Sequence, residues 1–217
     1  MEHTTPLNLQ DIRQEYIKAA LDEQAAQAQA MDQFEDWFRQ ALNAGIQEPT
    51  AMSLSTLDTE GQLASRIVLL KDFSSEGFIF YTNYESRKGR AIVAHAQVAL
   101  LFFWPELERQ IRIEGKAERV DPRISDAYFQ SRPEGSRMGA WASPQSQVIG
   151  DRSVLENKVK EVQQRFQDQP IPRPPHWGGF LVRPQRIEFW QGRASRLHDR
   201  LMYTQVPEGW KIERLAP

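Results

Sequence analysis

Short segments in which apolar and polar residues alternate, separated by turn residues, run through the sequence from residue 51 to residue 120. Met52, Leu54 and Thr56 mark the first such segment, and the turn Asp58-Thr-Glu-Gly61 follows it. This period of two is typical of strands with one buried face. Regular strand–helix alternation is missing, as are G-x-G-x-x-G and G-x-x-x-x-G-K-[ST]. The pattern therefore predicts a mainly β fold with helices (α+β), a closed antiparallel barrel decorated by helices, rather than a Rossmann domain or a P-loop protein.

The same patterning predicts the other elements. Strands are predicted at 65–70, 78–82, 98–104 and 109–120, and around 180–182, 187–189, 201–203 and 210–212. Helices are predicted from about 34 to 43, over 86–94, from 121 to 130 and over 154–166. Asp121-Pro122 is a suitable N-cap and first-turn pair for the third helix. Gly135 and Ser136 are predicted to lie in a turn.

Charge is distributed unevenly along the chain. Its 217 residues contain 27 Lys and Arg against 29 Asp and Glu, a net charge of −2, which argues against a dedicated nucleic-acid or anionic-membrane protein. Residues 1–36 hold eight acidic residues against two basic ones, a net charge of −6. We interpret residues 1–30 as a mobile N-terminal arm or lid, and residues 31–217 as a single domain.

Several classes of protein are excluded by composition. The absence of cysteine excludes disulfides, thiolate metal sites and a cysteine nucleophile. The four histidines lack metal-ligand spacing, so no metal site is predicted. The N-terminus lacks the pattern of a signal peptide, and the longest apolar run is far too short to cross a membrane. The predicted location is cytoplasmic.

Two candidate anion sites lie in the first half of the chain. In Tyr81-Thr-Asn-Tyr-Glu-Ser-Arg-Lys88, a strand ends and a helix starts, so free backbone N–H groups and basic side chains favour a phosphate there. A solvated surface turn is the alternative. Arg66 and Lys71 stand at the two ends of a second strand but on opposite faces, so charges that protect an edge strand are the favoured explanation from these residues alone.

Two more candidates lie further along. Tyr128 and Arg132 are spaced to share a helix face, with Ser136 close behind, and these groups could hold a second phosphate or simply match the helix dipole. Arg196 and His198 share one face if they lie on a strand, where His198 could exchange a proton or simply pair with Asp199. From Phe180 to Arg200, five arginines stand against two acids, a net charge of +3.

These segments together resemble the pyridoxamine/pyridoxine 5′-phosphate oxidase family. The resemblance rests on RIVLLK (66–71), FYTN (80–83), SRK (86–88), LERQ (107–110), YFQSRP (128–133), GAWASPQS (139–146), WGGF (177–180), IEFWQG (187–192), RLHDR (196–200) and RLAP (214–217), in the family's order with comparable gaps. It extends over roughly residues 13–217 and is weakest from 22 to 33, where the family usually carries a basic stretch. It implies a homodimeric antiparallel split β-barrel flanked by helices, with FMN at the subunit interface.

The resemblance also implies roles for individual residues. The implied FMN-binding residues are Arg66, Ile67, Val68, Leu69, Leu70, Lys71, Tyr81, Thr82, Arg87, Lys88, Gln110, Gln145, Ser146, Trp190 and Arg200. The implied substrate-binding residues are Arg13, Tyr16, Lys71, Tyr128, Arg132, Ser136, Arg196, Leu197 and His198. Arg196 and His198 would be the catalytic pair, over the pyridine ring of the substrate. The segment from Arg13 to Tyr16 would cover the substrate as a lid.

The implied reaction is oxidation at the 4′ carbon of pyridoxamine 5′-phosphate or pyridoxine 5′-phosphate, giving pyridoxal 5′-phosphate in vitamin B6 metabolism. Hydride passes to the flavin, O2 reoxidises it to give H2O2, and the amine substrate releases ammonia. Two alternatives remain at this stage. A flavin-binding split barrel with another role would need only the first phosphate site. A nucleic-acid-binding barrel would also combine basic and aromatic strands, although the net charge and scattered basic residues count against it.

Overall fold

The computed structural model describes residues 15–217, in which nine strands and five α-helices are present. The strands are β1 (Ala51–Leu57), β2 (Leu63–Leu69), β3 (Asp72–Ser74), β4 (Gly77–Asn83), β5 (Gln97–Trp104), β6 (Arg109–Arg119), β7 (Trp177–Gln191), β8 (Asp199–Val206) and β9 (Gly209–Arg214). The helices are α1 (Ala30–Asn43), α2 (Arg87–Ala94), α3 (Pro122–Ser131), α4 (Glu134–Ala142) and α5 (Ser153–Arg165). Among these residues, no helix is long and apolar enough to span a membrane.

All strand pairs are antiparallel and form one curled sheet. Its order is β2-β1-β5-β6-β7-β4-β3, with β8 paired to β7 and β9 paired to β8. The antiparallel α+β fold is therefore confirmed. The sheet does not close, because within residues 15–217 no backbone pairing joins β2 to β3. The closed barrel expected from the strand pattern is wrong in this respect, and the barrel is split.

Strand β7 organises the sheet because it changes partner halfway along its fifteen residues. Residues 177–182 pair with β4, residues 186–191 pair with β8, and β6 runs beside both halves. Pro184 lies at the changeover, where only β6 is paired with it, through Gly115. Proline cannot donate a ladder hydrogen bond, and bulges tolerate it. On β6, the pairing register with β7 shifts between Glu114 and Gly115. This bulge accommodates Pro184, so β7 continues through the changeover as one strand.

Helix α1 fills the inside of the curled sheet. Phe34 is completely buried, and its ring packs against Phe73, Phe78 and Phe102 at centroid distances of 4.8–5.4 Å. One turn later, Trp37 packs edge-on against Phe189 of β7. The helical spacing that predicted this element from the sequence is therefore the spacing of its core face.

The sequence predicted where α2 and α3 begin, but it predicted four helices and the structure has five α-helices within residues 15–217. The Ser86 hydroxyl caps α2 by accepting from the Gly89 N–H, and the Asp121 carboxylate caps α3 by accepting from the Arg123 N–H. The predicted turn at Gly135 and Ser136 is wrong, because α4 begins at Glu134. Its residues pack beside α5 and against the cluster around Phe129. This tertiary packing outweighs the low helix propensity of the two glycines in α4.

Residues 15–29 lie along the body of the domain. The Leu21 side chain is buried in the core, and the Tyr203 hydroxyl donates to the Gln27 carbonyl. The Lys18 N–H donates to a Glu108 carboxylate oxygen. Whether this segment moves as an arm, as the sequence suggests, stays a prediction.

We expect Gly115→Ala to destabilise the fold by about 2–3 kcal/mol, since overpacking forces the backbone to shift. A Cβ at Gly115 would lie 2.2 Å from the Arg183 carbonyl oxygen. Gly139→Ala is the matched control: nothing lies within 4 Å of its added Cβ, and it sits inside α4. It should stabilise by about 0.5–1 kcal/mol through helix propensity. Denaturant unfolding of both variants at one protein concentration measures the difference. Equal effects would contradict the bulge assignment.

Candidate functional site

A cleft of about 300 Å³ opens between the ends of β2 and β4 and the helices α2 and α3. It brings together residues far apart in sequence, which is how binding sites are built on a barrel edge. Its walls are Ile67, Val68, Leu69, Lys71, Tyr81, Thr82, Asn83, Lys88, Tyr128, Arg132, Gln145 and Trp177. Ten of these twelve residues are predicted ligand-binding positions, and only Asn83 and Trp177 are not.

One corner of the cleft carries positive charge that nearby acids only partly balance. Lys88 Nζ lies 3.1 Å from Gln145 Oε1 and 3.4 Å from Thr82 Oγ1, both neutral partners. Burial and the charge of Arg66 lower the pKa of Lys88. Burial and Arg87 likewise lower the pKa of Arg66. Arg66, Arg87 and Lys88 repel one another, and a bound anion reduces this repulsion.

The start of α2 adds backbone donors to this corner. Arg87 and Lys88 occupy the first turn of the helix, where cations oppose the helix dipole. Arg87 has one acidic partner, Asp58, at 3.4 Å, and its side chain is more than half exposed. Arg66 donates to the Leu54 carbonyl and to the Thr56 hydroxyl, and no carboxylate of the described part of the chain pairs with its guanidinium. An unfavourable cluster of this kind is relieved by a bound anion such as a phosphate.

A second anion corner lies at the end of α3. Arg132 Nη1 is buried and has no hydrogen-bond partner among residues 15–217, while the guanidinium stacks on the Trp177 ring at 4.6 Å. A buried donor without an acceptor is costly, and a ligand oxygen would satisfy it. Tyr128 and Lys71 line the same cleft. These are the residues that the sequence assigned to a second phosphate.

An aromatic stack forms the wall between the corners. The Tyr81 and Tyr128 rings lie 3.9 Å apart at 15°, and Trp177 continues the stack at 5.4 Å from Tyr81. Burial, with a smaller contribution from Tyr128, raises the pKa of Tyr81 to about 12. Burial also raises the pKa of Tyr128. Both phenols therefore stay protonated and can donate hydrogen bonds at neutral pH.

Several predicted residues lie elsewhere. Arg66 and Arg87 are not among the cleft walls; Arg66 is coupled to Lys88 through its charge, and Arg87 to Arg66. Leu70 is buried in the core and does not line the cleft either. Ser136 and Ser146 are exposed and lie outside its walls, Ser146 with a φ of +69°. Arg13 lies outside the described residues. Trp177 lines the cleft, although no role was predicted for it. Its one signal in the sequence is its place in the motif WGGF.

A second cluster of predicted residues lies at the other end of β7. The His198 ring packs 4.5 Å from Trp190, and Tyr16 packs at 5.8 Å from each of them. Gly192 leaves the room for Tyr16, because a Cβ there would lie 2.7 Å from the tyrosine ring. These three residues form an aromatic cluster, in which Tyr16 comes from the segment predicted to be a lid.

Gln110, Trp190 and Arg200 form one row across three strands. Gln110 pairs with Trp190 and Trp190 pairs with Arg200, so the three side chains share a sheet face. Arg200 Nε donates to Glu188 at 2.8 Å, and Arg112 donates to the other oxygen of the same buried carboxylate at 3.0 Å. Glu188 raises the pKa of Arg200 and fixes its guanidinium at this face.

The loop that carries Arg196, Leu197 and His198 differs from expectation. The strand β8 begins only at Asp199, and Arg196 ends a short 3₁₀ turn with a φ of +61°. The prediction that Arg196 and His198 share a strand face is therefore wrong. Leu197 is exposed. The Asp199 carboxylate bonds to the Leu21 N–H and to Arg214, not to His198.

The protonation state of His198 follows from its contacts. Its Nδ1 accepts a hydrogen bond from the Arg193 N–H at 3.1 Å, so the neutral ring carries its proton on Nε2. Burial and the charge of Arg196 lower the pKa of His198, and Asp199 opposes them weakly. At neutral pH His198 is therefore an uncharged donor through Nε2–H.

The two clusters cannot serve one small ligand within a single chain. Trp177 borders the cleft and Trp190 borders the second cluster, at opposite ends of β7. Thirteen residue steps of about 3.3 Å each place them about 40 Å apart along the strand. A second chain is needed to bring the two clusters together.

A split barrel whose cleft holds two cationic corners is suited to binding phosphorylated small molecules. Residues 38–166 match the family model described as pyridoxamine 5′-phosphate oxidase, and residues 177–217 match the pyridoxine 5′-phosphate oxidase C-terminal dimerisation region. The chain therefore belongs to the pyridoxamine 5′-phosphate oxidase family.

Full-length relatives agree with the family models. The pyridoxine/pyridoxamine 5′-phosphate oxidase of Acaryochloris marina is 53% identical, with 98% of this chain and 97% of that protein aligned. The protein of the same name from Bordetella petrii is 56% identical, with 97% and 100% aligned. Among solved structures, PhzG from Burkholderia lata 383, in complex with tetrahydrophenazine-1-carboxylic acid, is 29% identical with a TM-score of 0.86, covering 93% of this chain and 99% of that one.

We expect Arg196→Gln to raise the pKa of His198, because the positive charge of Arg196 disfavours the imidazolium. Titration of the His198 ring by NMR measures the change directly. An unchanged or lower pKa in the variant would show that Arg196 does not act on this ring.

Proposed function

We propose that this chain oxidises pyridoxamine 5′-phosphate and pyridoxine 5′-phosphate to pyridoxal 5′-phosphate, with FMN as cofactor and O2 as electron acceptor. The observation that carries the proposal is the presence of two separate anion corners in one cleft, one around Lys88 and one at Arg132. A phosphorylated cofactor and a phosphorylated substrate need two such corners. The names of relatives more than 50% identical over nearly their full length support the same reaction.

The Lys88 corner fits the FMN phosphate. Arg66, Arg87 and Lys88 supply positive charge that the described carboxylates neutralise only through Asp58, and the first turn of α2 supplies N–H donors. Bound FMN supplies a two-electron acceptor for hydride. Gln145 and Thr82 orient Lys88, so its ammonium is already placed before a phosphate arrives.

The Arg132 corner fits the phosphate of the substrate. Lys71, Tyr128 and Arg132 give it two cations and a phenol that stays protonated. Stacking on Trp177 fixes the plane of the Arg132 guanidinium and leaves Nη1 free to donate. These side chains therefore hold the phosphate and set the distance from it to the reacting 4′ carbon.

The second cluster acts from the other chain of a homodimer. The dimerisation region, residues 177–217, contains Trp190, Arg196, His198 and Arg200. We place Gln110, Trp190 and Arg200 of one chain against the flavin held by its partner, and His198 and Arg196 over the substrate ring. Tyr16 covers the same surface through its contact with His198.

The reaction removes a hydride from the 4′ carbon and a proton from the amine or hydroxyl on that carbon. His198 donates through Nε2–H and so orients the substrate heteroatom. Because its Nδ1 already accepts the Arg193 N–H, the proton lost by the heteroatom passes to water. The alcohol then becomes the aldehyde directly. The amine becomes an imine, which water hydrolyses to the aldehyde and ammonia, while O2 leaves as H2O2.

The test is a pair of measurements on the purified protein. We expect the protein to bind about one FMN per chain, and to consume O2 when pyridoxamine 5′-phosphate is added. A protein that cannot be loaded with FMN would overturn the proposal. A fully loaded protein that does not turn over would point to a flavin protein with another role.

We expect Arg132→Met to lower kcat/KM for pyridoxamine 5′-phosphate by about 10- to 100-fold, the effect of one charged hydrogen bond. Unphosphorylated pyridoxamine should be oxidised as by the wild type, since it lacks the group that Arg132 binds. Arg152→Met, at a mostly exposed position, is the control. Steady-state kinetics with both substrates check this. An equal loss for both substrates would remove Arg132 from the phosphate corner.

A further inference from the structure

The Asp199 carboxylate joins three separate parts of the chain. Its Oδ2 accepts the Leu21 N–H at 3.1 Å and lies 3.5 Å from Arg193 Nη1. Its Oδ1 accepts Arg214 Nη1 at 2.8 Å. The side chain is only 18% exposed, so these contacts replace most of its contact with water. Residues 15–29, which we name the strap, therefore meet the loop at 192–198 and strand β9 at one buried charge.

The two arginines that contact Asp199 also hold the strap themselves. Arg193 Nη1 donates to the Ala19 carbonyl at 3.3 Å, and Arg214 Nη2 donates to the Leu21 carbonyl at 3.1 Å. Arg214 also forms a two-pronged pair with Glu23, at 2.5 and 2.6 Å. Each arginine thus bridges Asp199 and the strap, and its position depends on both.

The same carboxylate is next to the loop that presents His198. Within that loop, Ser195 and Arg196 have φ values of +55° and +61°, a conformation that persists only where surrounding contacts impose it. The Arg193 N–H holds His198 Nδ1, and the Arg193 side chain reaches Asp199. Contacts of Arg193 therefore hold one end of the strained loop, and contacts of Asp199 hold the other end.

We propose that Asp199 is a positioning residue that couples docking of the strap to the arrangement of the His198 loop. When the strap is docked, Asp199 holds Arg193, and Arg193 holds the His198 ring in its Nε2–H form. When Asp199 loses its charge, Arg193 and Arg214 lose their shared acceptor, so the strap and the loop loosen together. The consequence for catalysis rests on the proposed function, in which His198 faces the substrate.

The test compares Asp199→Asn with Glu23→Gln in the FMN-loaded protein. Glu23 lies in the strap and contacts the network only through Arg214. Its variant should therefore loosen the strap without loosening the loop at 192–198. Glu213→Gln is the matched control, because Glu213 forms an exposed pair with Lys211 on β9. Hydrogen–deuterium exchange of peptides covering 15–29 and 192–198 is measured for each, together with KM and kcat for pyridoxamine 5′-phosphate.

For Asp199→Asn we expect faster exchange in both segments and a KM raised about tenfold, with FMN content unchanged. For Glu23→Gln we expect faster exchange in the strap alone, and for Glu213→Gln no change in either segment. Exchange that rises only in the strap of Asp199→Asn would overturn the coupling. If that variant does not fold, Arg193→Gln takes its place and should show the same double effect.

Exchange does not depend on turnover, so the coupling and the proposed reaction fail separately. A wild-type protein without oxidase activity would overturn the reaction, while the exchange pattern would still decide the coupling. Faster exchange in both segments with an unchanged KM would overturn the claim that the coupling positions His198.

Discussion

The continuity of β7 is the constraint on which the rest of the site depends. This one strand pairs with β4 in its first half and with β8 in its second, and it changes partner at Pro184. The phosphate cleft is built at its first end and the His198 cluster at its last. A rigid strand about 40 Å long keeps the two apart in each chain. One small ligand can therefore contact both ends only where two chains meet, which agrees with the dimerisation region that contains β7.

The two ends of β7 differ in their electrostatics. At the cleft, Arg66 and Lys88 have neutral partners and Arg132 keeps a buried donor unsatisfied. Each of these groups carries a cost that a phosphate removes. At the other end, the buried Glu188 already pairs with Arg200 and Arg112. The first end therefore has positive charge that attracts anions. At the second end the charges are already paired, so its side chains are suited to contacting and orienting a ligand.

Local features of the sequence predicted the parts of the fold that local chemistry decides. Asp121 was identifiable as a cap because capping depends on a few neighbouring residues. The helix α4 was missed because its stability comes from packing against α5, which no local pattern shows. The open edge between β2 and β3 likewise depends on the whole sheet.

Most cleft residues were identifiable from motif resemblance, yet their grouping was not. Sequence order does not show that Trp190 and Trp177 are held at opposite ends of one strand, nor that Trp177 stacks on Arg132. The geometry at Arg196 depends on a backbone conformation that non-glycine residues adopt only under tertiary contacts. The predicted strand face for Arg196 and His198 failed for that reason.

We propose that each active site takes its phosphate corner from one chain and His198 from the other. Subunit exchange between two impaired variants, Arg132→Met and His198→Ala, measured as kcat/KM for pyridoxamine 5′-phosphate, distinguishes this arrangement from a site built by one chain. In a mixed dimer, one site then has both wild-type residues and the other has neither. Random mixing should restore about a quarter of the wild-type activity. If the mixture stays as impaired as its two components, the two residues serve the same chain, and a site shared between chains is contradicted.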